Sequence, residues 1–388
     1  MISAANARRT IAAVTCGLLF AGAALAQEIP RGTIVDRVEC ATDPAQSYAL
    51  YLPSGYTPER TWSVLLAFHP AARGRLMVEK FRAAAEHYGY IVAASNNSRN
   101  GPYAASGAAA QAMSVDVARR FALDGRRIYL AGMSGGARVA TGIALGTKSI
   151  AGVIASSAGY PDSQPRASVP FAVFGTAGTE DFNYIEMRQL DRKLTSPHFL
   201  AVFNGGHTLP PDDVAFDAIE WMELQAMRSG RRGRDETLIG RILEKRRAGL
   251  AAAAGPAETM YLLQALVADF DGLADVSAEA RRAAELSRQP AVRKALERAR
   301  DADDAEGRML REIYQLEARL GRDEEREPAI MMLRDRLSRL SRKATVEAET
   351  PERAQARRVL RSITAGASGR VEDREYLKLL EQYRLPGR

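Results

Sequence analysis

The chain of 388 residues is poor in the side chains that build metal sites and covalent cross-links. It holds two cysteines and four histidines. Cys16 sits in an apolar N-terminal run, which leaves Cys40 alone once that run is removed. An intrachain disulfide is then excluded, and neither cysteine has metal-ligand spacing to the other. Cys40, at the end of an N-terminal strand, reads as a small buried hydrophobe. No histidine follows His207, so a transition-metal site in the C-terminal half is excluded as well. No metal and no cofactor is expected. Long apolar runs are missing after residue 26, which argues against a membrane-spanning helix. Charge of one sign is also scarce. The net charge is +7, yet residues 27–227 balance to within one charge, and the basic excess of residues 228–388 is interspersed with acids. Such dilution speaks against nucleic-acid binding and for helices with solvated faces.

What the chain does have begins with a leader. Arg8 and Arg9 precede an apolar stretch from Ile11 to Ala24, too short to span a bilayer, and Ala24-Leu25-Ala26 is a small-residue cleavage site. This predicts an exported protein, periplasmic or extracellular, cleaved after Ala26. Residues 27–227 are expected to form one domain, residues 228–234 a linker, and residues 235–388 a second domain.

The most informative stretch is Ile128-Tyr-Leu-Ala-Gly-Met-Ser-Gly-Gly-Ala137. Ile128–Ala131 reads as a short buried strand and Ala137–Leu145 as a small-residue helix. Between them lies G-x-S-x-G, with Ser134 at its apex. In such a strand–turn–helix elbow the serine takes a strained backbone conformation, and the residues two before and two after it crowd the backbone. Gly132 and Gly136 meet that need. The turn would raise the Ser134 hydroxyl above the sheet and aim a helix N-terminus at it. A plain glycine-rich strand–helix turn is the alternative.

Around this elbow, strands alternate with helices. Strands are predicted at Thr33–Cys40, Tyr48–Leu52, Trp62–His69, Tyr90–Ser95, Ile150–Ala155, Pro170–Gly175 and Phe199–Phe203. Helices are predicted at Met77–Tyr88, Ala108–Phe121 and Asp213–Met227. That alternation argues for an α/β fold with a mostly parallel sheet and flanking helices.

Residues 33–227 resemble the α/β-hydrolases, in particular compact secreted esterases of the dienelactone-hydrolase, phospholipase/carboxylesterase and polyhydroxybutyrate-depolymerase-like kinds. The resemblance rests on the elbow and on Tyr48-Ala-Leu-Tyr-Leu-Pro-Ser-Gly-Tyr56, and it does not extend into residues 228–388. It implies a triad in the chain order nucleophile, acid, histidine. Ser134 would be the nucleophile. Of the four histidines, His87 lies in a helix, His198 begins a strand and His69 precedes the elbow, which leaves His207, in a glycine-flanked loop after the last strand, as the base. The acid is expected in Gly178-Thr-Glu-Asp181, with Asp181 preferred over Glu180; Asp181 could instead cap the helix that starts near Asn183. The resemblance further implies an oxyanion hole made by the backbone N–H groups of Gly135 and Ala71. Relatives carry His-Gly where this chain has His69-Pro70-Ala71, and proline has no N–H. His69, Asn96, Tyr103, Met133, Asn183 and Tyr184 are candidate substrate contacts from their places at strand ends.

Residues 235–388 read as an all-α domain. Helices are predicted to start at Pro256, Pro290, Pro328 and Pro351, each proline at the first helical position. Met309, Ile313, Leu316 and Leu320, then Ile330, Leu333, Leu337 and Leu340, suggest an antiparallel hairpin. This domain is a candidate for protein binding or self-association. Three readings stay open: an exported serine hydrolase acting on a small carboxylic ester, a catalytically degenerate hydrolase fold used as a binding platform, and a serine peptidase.

Overall fold

The computed structural model describes residues 29–161 and 166–385; the expected leader lies outside them. Eight strands form one sheet: β1 (Ile34–Cys40), β2 (Asp43–Tyr51), β3 (Trp62–Phe68), β4 (Tyr90–Ser95), β5 (Leu123–Met133), β6 (Ile150–Ser156), β7 (Ala172–Gly178) and β8 (His198–Phe203). Their order is β1-β2-β4-β3-β5-β6-β7-β8. The pairs β1–β2 and β2–β4 are antiparallel, and every other pair is parallel. This is the α/β-hydrolase sheet. Every residue of β3, β4, β6 and β7 is buried, as expected of strands covered on both faces.

The covering helices are α1 (Gly74–Tyr88), α2 (Tyr103–Arg120), α3 (Gly135–Gly146), α4 (Tyr184–Lys193) and α5 (Asp212–Arg228). On one face of the sheet pack Ala110, Met113 and Val117 of α2, Ala137 and Ala140 of α3, and Met187 and Leu190 of α4. On the other face pack Met77, Val78 and Phe81 of α1 with Ile219, Trp221 and Met222 of α5. Recurrence at three and four residues puts those side chains on one stripe of each helix. The chain runs from β3 to β4 on one side of β3, then crosses to β5 on the other. That reversal opens a crevice beyond the C-terminal ends of β3 and β5, where open α/β sheets bind their ligands.

The helical half divides in two. The helices α6 (Glu236–Ala251), α7 (Pro256–Phe270) and α8 (Ser277–Arg288) extend the core outward from α5, with Leu224 and Met227 packed among Leu238, Ile242, Leu263 and Phe270. The helices α9 (Pro290–Arg319), α10 (Asp323–Ala344), α11 (Pro351–Thr364) and α12 (Arg374–Gln382) enclose a separate core around Leu316, Leu333, Leu337, Val359, Leu360 and Tyr376.

Several expectations are corrected in detail. Residues 228–234 are no free linker. Arg232 and Arg127 both pair with buried Glu223, and Arg234 donates to the carbonyls of Gly272 and Leu273 at 2.7 Å each. Pro328 lies inside α10 instead of opening it. The helix begins earlier because Asp323, Glu324 and Glu325 set three carboxylates against the positive end of its dipole. The other three prolines do stand at helix starts. The second predicted helix begins at Tyr103, five residues ahead of Ala108.

Two buried polar contacts fasten the helices to the sheet domain. Asp269 of α7 accepts from Trp221 Nε1 at 2.9 Å and Gln225 Nε2 at 2.8 Å, and pairs with Arg246 at 2.6 Å. Tyr261 of α7 covers the sheet edge: its hydroxyl accepts the outward N–H of Leu200 at 2.8 Å and donates to Asp191 at 2.9 Å. A capped edge removes a template for strand pairing with other chains. Removing Asp269 would leave the half-buried Arg246 guanidinium and the buried Trp221 and Gln225 donors without their partner. Asp269→Ala should therefore lower stability by about 3–5 kcal/mol in urea unfolding, and a loss under about 1 kcal/mol would contradict this junction.

Candidate active site

Ser134 lies between β5 and α3 with φ 53° and ψ −122°. Few non-glycine residues adopt a positive φ. Its N–H donates to Ser156 O at 2.8 Å, and its carbonyl accepts from Ala137 N at 2.9 Å, so both sides of the turn are tied. A Cβ at Gly132 would collide with the backbone of Gly136, and one at Gly136 with the carbonyl of Phe68. Backbone atoms cannot swing aside, so the elbow closes only with glycine at both positions.

His207 follows β8. Its Nε2 is 2.8 Å from Ser134 Oγ, and its Nδ1 is 2.8 Å from Asp181 Oδ1. Asp181 is fully buried, and the Phe182 ring stacks on the imidazole with centroids 3.8 Å apart. Serine, imidazole and carboxylate thus form one hydrogen-bonded line drawn from β5, β7 and β8. In this arrangement the carboxylate fixes the imidazole with its proton on Nδ1 and leaves Nε2 free to accept from the hydroxyl. Asp181 does not take the capping job that competed with this reading: the N-cap of α4 is Asn183, without a side-chain cap bond, and Asp181 Oδ1 accepts the N–H of Asn183 at 2.8 Å in the turn ahead of the helix.

Glu180, the other candidate acid, points away from His207. It forms ion pairs with Arg357 at 2.8 Å and Arg361 at 2.6 Å, both on α11. Burial alone would push its carboxyl up, but the hydrogen bonds from the two guanidinium groups carry it below the usual range. The loops of acid and base are also laced together. Thr179 N donates to Phe203 O at 2.8 Å and Glu180 N to Gly205 O at 2.8 Å. Gly178 faces the carbonyls of Gly205 and Gly206 with no room for a side chain.

The oxyanion side differs from expectation at one atom. The N–H of Gly135 is at the first position of α3, where the helix supplies no acceptor. The N–H of Ala71, in contrast, donates to His69 Nδ1 at 3.0 Å. An accepting Nδ1 means that His69 is neutral with its proton on Nε2; burial, and then the nearby Arg73, lower its pKa. Ala72, next in the loop, has φ 55°. Above Gly135 lies Asn100, whose amide oxygen occupies the space a Cβ would need. This explains a small residue directly after the serine; Asn100 lies in the Asn96–Tyr103 loop between two candidate contacts, but an exposed polar loop gives no sequence signal of which side chain turns inward.

The other candidates fall into two groups. Met133 precedes the nucleophile and is buried, His69 ends the β3 crevice, and Tyr103 is 51% exposed with its hydroxyl against Gly142 of α3. Asn96, Asn183 and Tyr184 are engaged elsewhere. Asn96 Nδ2 donates to Asp36 O at 3.0 Å, and Asn183 Nδ2 donates to Ser157 O at 2.7 Å. Tyr184 lies under the Arg358 guanidinium, 4.3 Å from the ring centroid. A place at a strand end does not fix where a side chain points. Among the described residues, no group of three or more His, Cys, Asp or Glu side chains could hold a metal ion, and no helix is long and apolar enough to cross a membrane.

No family model and no curated protein matches the chain. Among solved structures, it is similar to a mutant feruloyl esterase module from Clostridium thermocellum complexed with sinapinate. The identity is 14%, over 49% of this chain and 86% of that one, with a TM-score of 0.39. It is also similar to an esterase from Pyrobaculum calidifontis, at 13% identity over 51% of this chain and 85% of that one, with a TM-score of 0.38. A thermostable carboxylesterase cloned from a metagenomic library is 13% identical over 52% of this chain and 90% of that one, with a TM-score of 0.38. It is the strand order and direction described above, not these distant likenesses, that define an α/β-hydrolase fold.

The two glycine contacts differ in kind, which gives a test. At Gly178 the obstacle is backbone, so Gly178→Ala should lower stability by about 1–3 kcal/mol and disturb the His207 loop. At Gly135 the obstacle is the end of the Asn100 side chain, so Gly135→Ala should fold with a smaller loss, and Asn100→Ala should relieve it. Equal losses at both positions in thermal unfolding would contradict the packing described.

Proposed function

We propose that this chain is a serine hydrolase that cleaves carboxylic esters through an acyl-enzyme, and that it is exported with its leader removed after Ala26. The observation that carries the proposal is the line from Ser134 Oγ through His207 to Asp181, with both hydrogen bonds at 2.8 Å. Ser134 Oγ attacks the ester carbonyl and passes its proton to His207 Nε2. Asp181 holds the ring and stabilises the imidazolium. The alcohol leaves with that proton, and water, deprotonated by the same imidazole, releases the acid. The N–H of Gly135 at the start of α3 is the donor free to meet the developing oxyanion. Asn100 stands over Gly135, on the side where a small ester would lie.

One observation favours a second reading, a degenerate site retained as a binding platform. The N–H of Ala71, the other expected oxyanion donor, is held by His69 Nδ1. Loss of one such donor costs about 10²–10³ in kcat, so occupation of Ala71 predicts a slow enzyme before it predicts an inactive one.

The test is reaction of the mature protein with a fluorophosphonate probe beside turnover of a short p-nitrophenyl ester. Wild type should be labelled and active. Ser134→Ala should lose labelling and drop by roughly 10⁴-fold or more in kcat, and Asp181→Asn by about 10⁴-fold through the wrong imidazole tautomer. A folded wild type that is neither labelled nor active would leave the binding-platform reading.

A further inference from the structure

Helix α11 carries Arg357, Arg358 and Arg361 in a stretch that reads as a solvated face. In the structure their side chains are only 14%, 12% and 15% exposed. Burying three guanidinium groups is expensive, and buried ion pairs rarely return that expense as stability. Their partners lie within the acid loop or beside it. Arg357 and Arg361 pair with the two oxygens of Glu180. Arg358 Nη1 donates to Thr179 O at 2.7 Å, and Arg361 Nη1 to Glu180 O at 3.2 Å. Arg358 is itself held by Glu306 of α9, with Nε to Oε1 at 2.9 Å. Arg361 also reaches the His207 loop, where its Nη1 would lie 3.7 Å from a Cβ on Gly206. One helix thus grips two consecutive residues, 179 and 180, directly before Asp181. It also comes near the residue directly before His207.

We propose that Arg357 and Arg361 of the helical domain are positioning residues for the hydrolytic site, acting through Glu180 on the Asp181–His207 pair. The inference deepens the hydrolase reading and rests on it. Glu180 and Asp181 share a peptide, and Glu180 N is bonded to Gly205 O. A shift of Glu180 therefore moves the carboxylate and the imidazole loop together. Misplacement of a reacting group by about 1 Å costs on the order of 10²-fold. On this account the helical domain completes the active site from outside.

The test uses the full chain. Arg361→Ala leaves the buried Glu180 carboxylate short of a partner and can fail to fold. The triple variant Glu180→Leu/Arg357→Met/Arg361→Met removes all three charges together, a replacement that often leaves stability near wild type. Glu180→Gln, which keeps the side-chain shape, decides the matter if the triple variant unfolds. Two readouts are taken. One is kcat and KM for a p-nitrophenyl ester. The other is the downfield proton resonance of His207 Nδ1–H, assigned by its absence in Asp181→Asn. The expected result is a kcat lower by roughly 10- to 100-fold with KM within about twofold, and a downfield proton lost or moved upfield. Arg361→Lys, which keeps a charge at that position, should recover most of the rate. A folded variant with wild-type kcat and an unchanged proton would overturn the proposal. If wild type itself has the proton but no ester turnover, the hydrolase reading falls. The resonance alone then decides whether the arginines position the pair.

Discussion

The backbone at Ser134, held at φ 53° and ψ −122°, is the constraint around which the site is arranged. A conformation of that kind persists only where its surroundings over-determine it. Here β5 feeds the turn from a stretch, Ile128–Gly132, paired on both sides, Ser156 O takes the serine N–H, and glycines at 132 and 136 let backbone approach backbone. The reward of the strain is placement. The hydroxyl stands at the crevice where the strand order reverses, within one hydrogen bond of an imidazole contributed by the far edge of the sheet.

Two further layers hold that imidazole. The loop after β7 and the loop after β8 are stitched by backbone hydrogen bonds and by the close approach at Gly178, so Asp181 and His207 behave as one unit. Helix α11 then grips that unit through Glu180. The helical half is fastened in several ways, three of them of different character. It joins an apolar core continuous with α5, it caps the edge strand through Tyr261, and it makes a charged contact beside the reacting groups. Only the last of these lies beside Asp181 and His207, and buried ion pairs of its kind often add no stability over an apolar replacement.

Much of the fold was legible in the sequence because its signals are local. The apolar runs of β3, β4 and β6 and the elbow at Ser134 each lie within a dozen residues. His207 was reachable because only four histidines compete for the role. What stayed hidden depends on distance or on direction. Arg357 and Glu180 are 177 positions apart, and an arginine-rich helix looks the same in sequence whether it meets water or a buried carboxylate. Asn96 follows a strand end and Tyr184 opens α4, yet they turn toward Asp36 and Arg358, since position along the chain does not set the rotamer. Residues 228–234 have the composition of a linker, but their arginines meet Glu223 and two carbonyls near the end of α7. The bond from the Ala71 N–H to His69 Nδ1 spans Pro70 and depends on the direction of the imidazole, which the sequence does not carry.

The central claim is that Ser134 becomes covalently acylated during turnover. The most direct measurement mixes the mature protein with p-nitrophenyl acetate, quenches in acid within the first turnovers, and locates any acetyl group by peptide mass mapping. The account predicts an acetyl group on the peptide that bears Ser134, gained early and lost on further incubation before the quench. Turnover with no acetyl group on that peptide, or with acetylation confined to lysine side chains elsewhere, would contradict it.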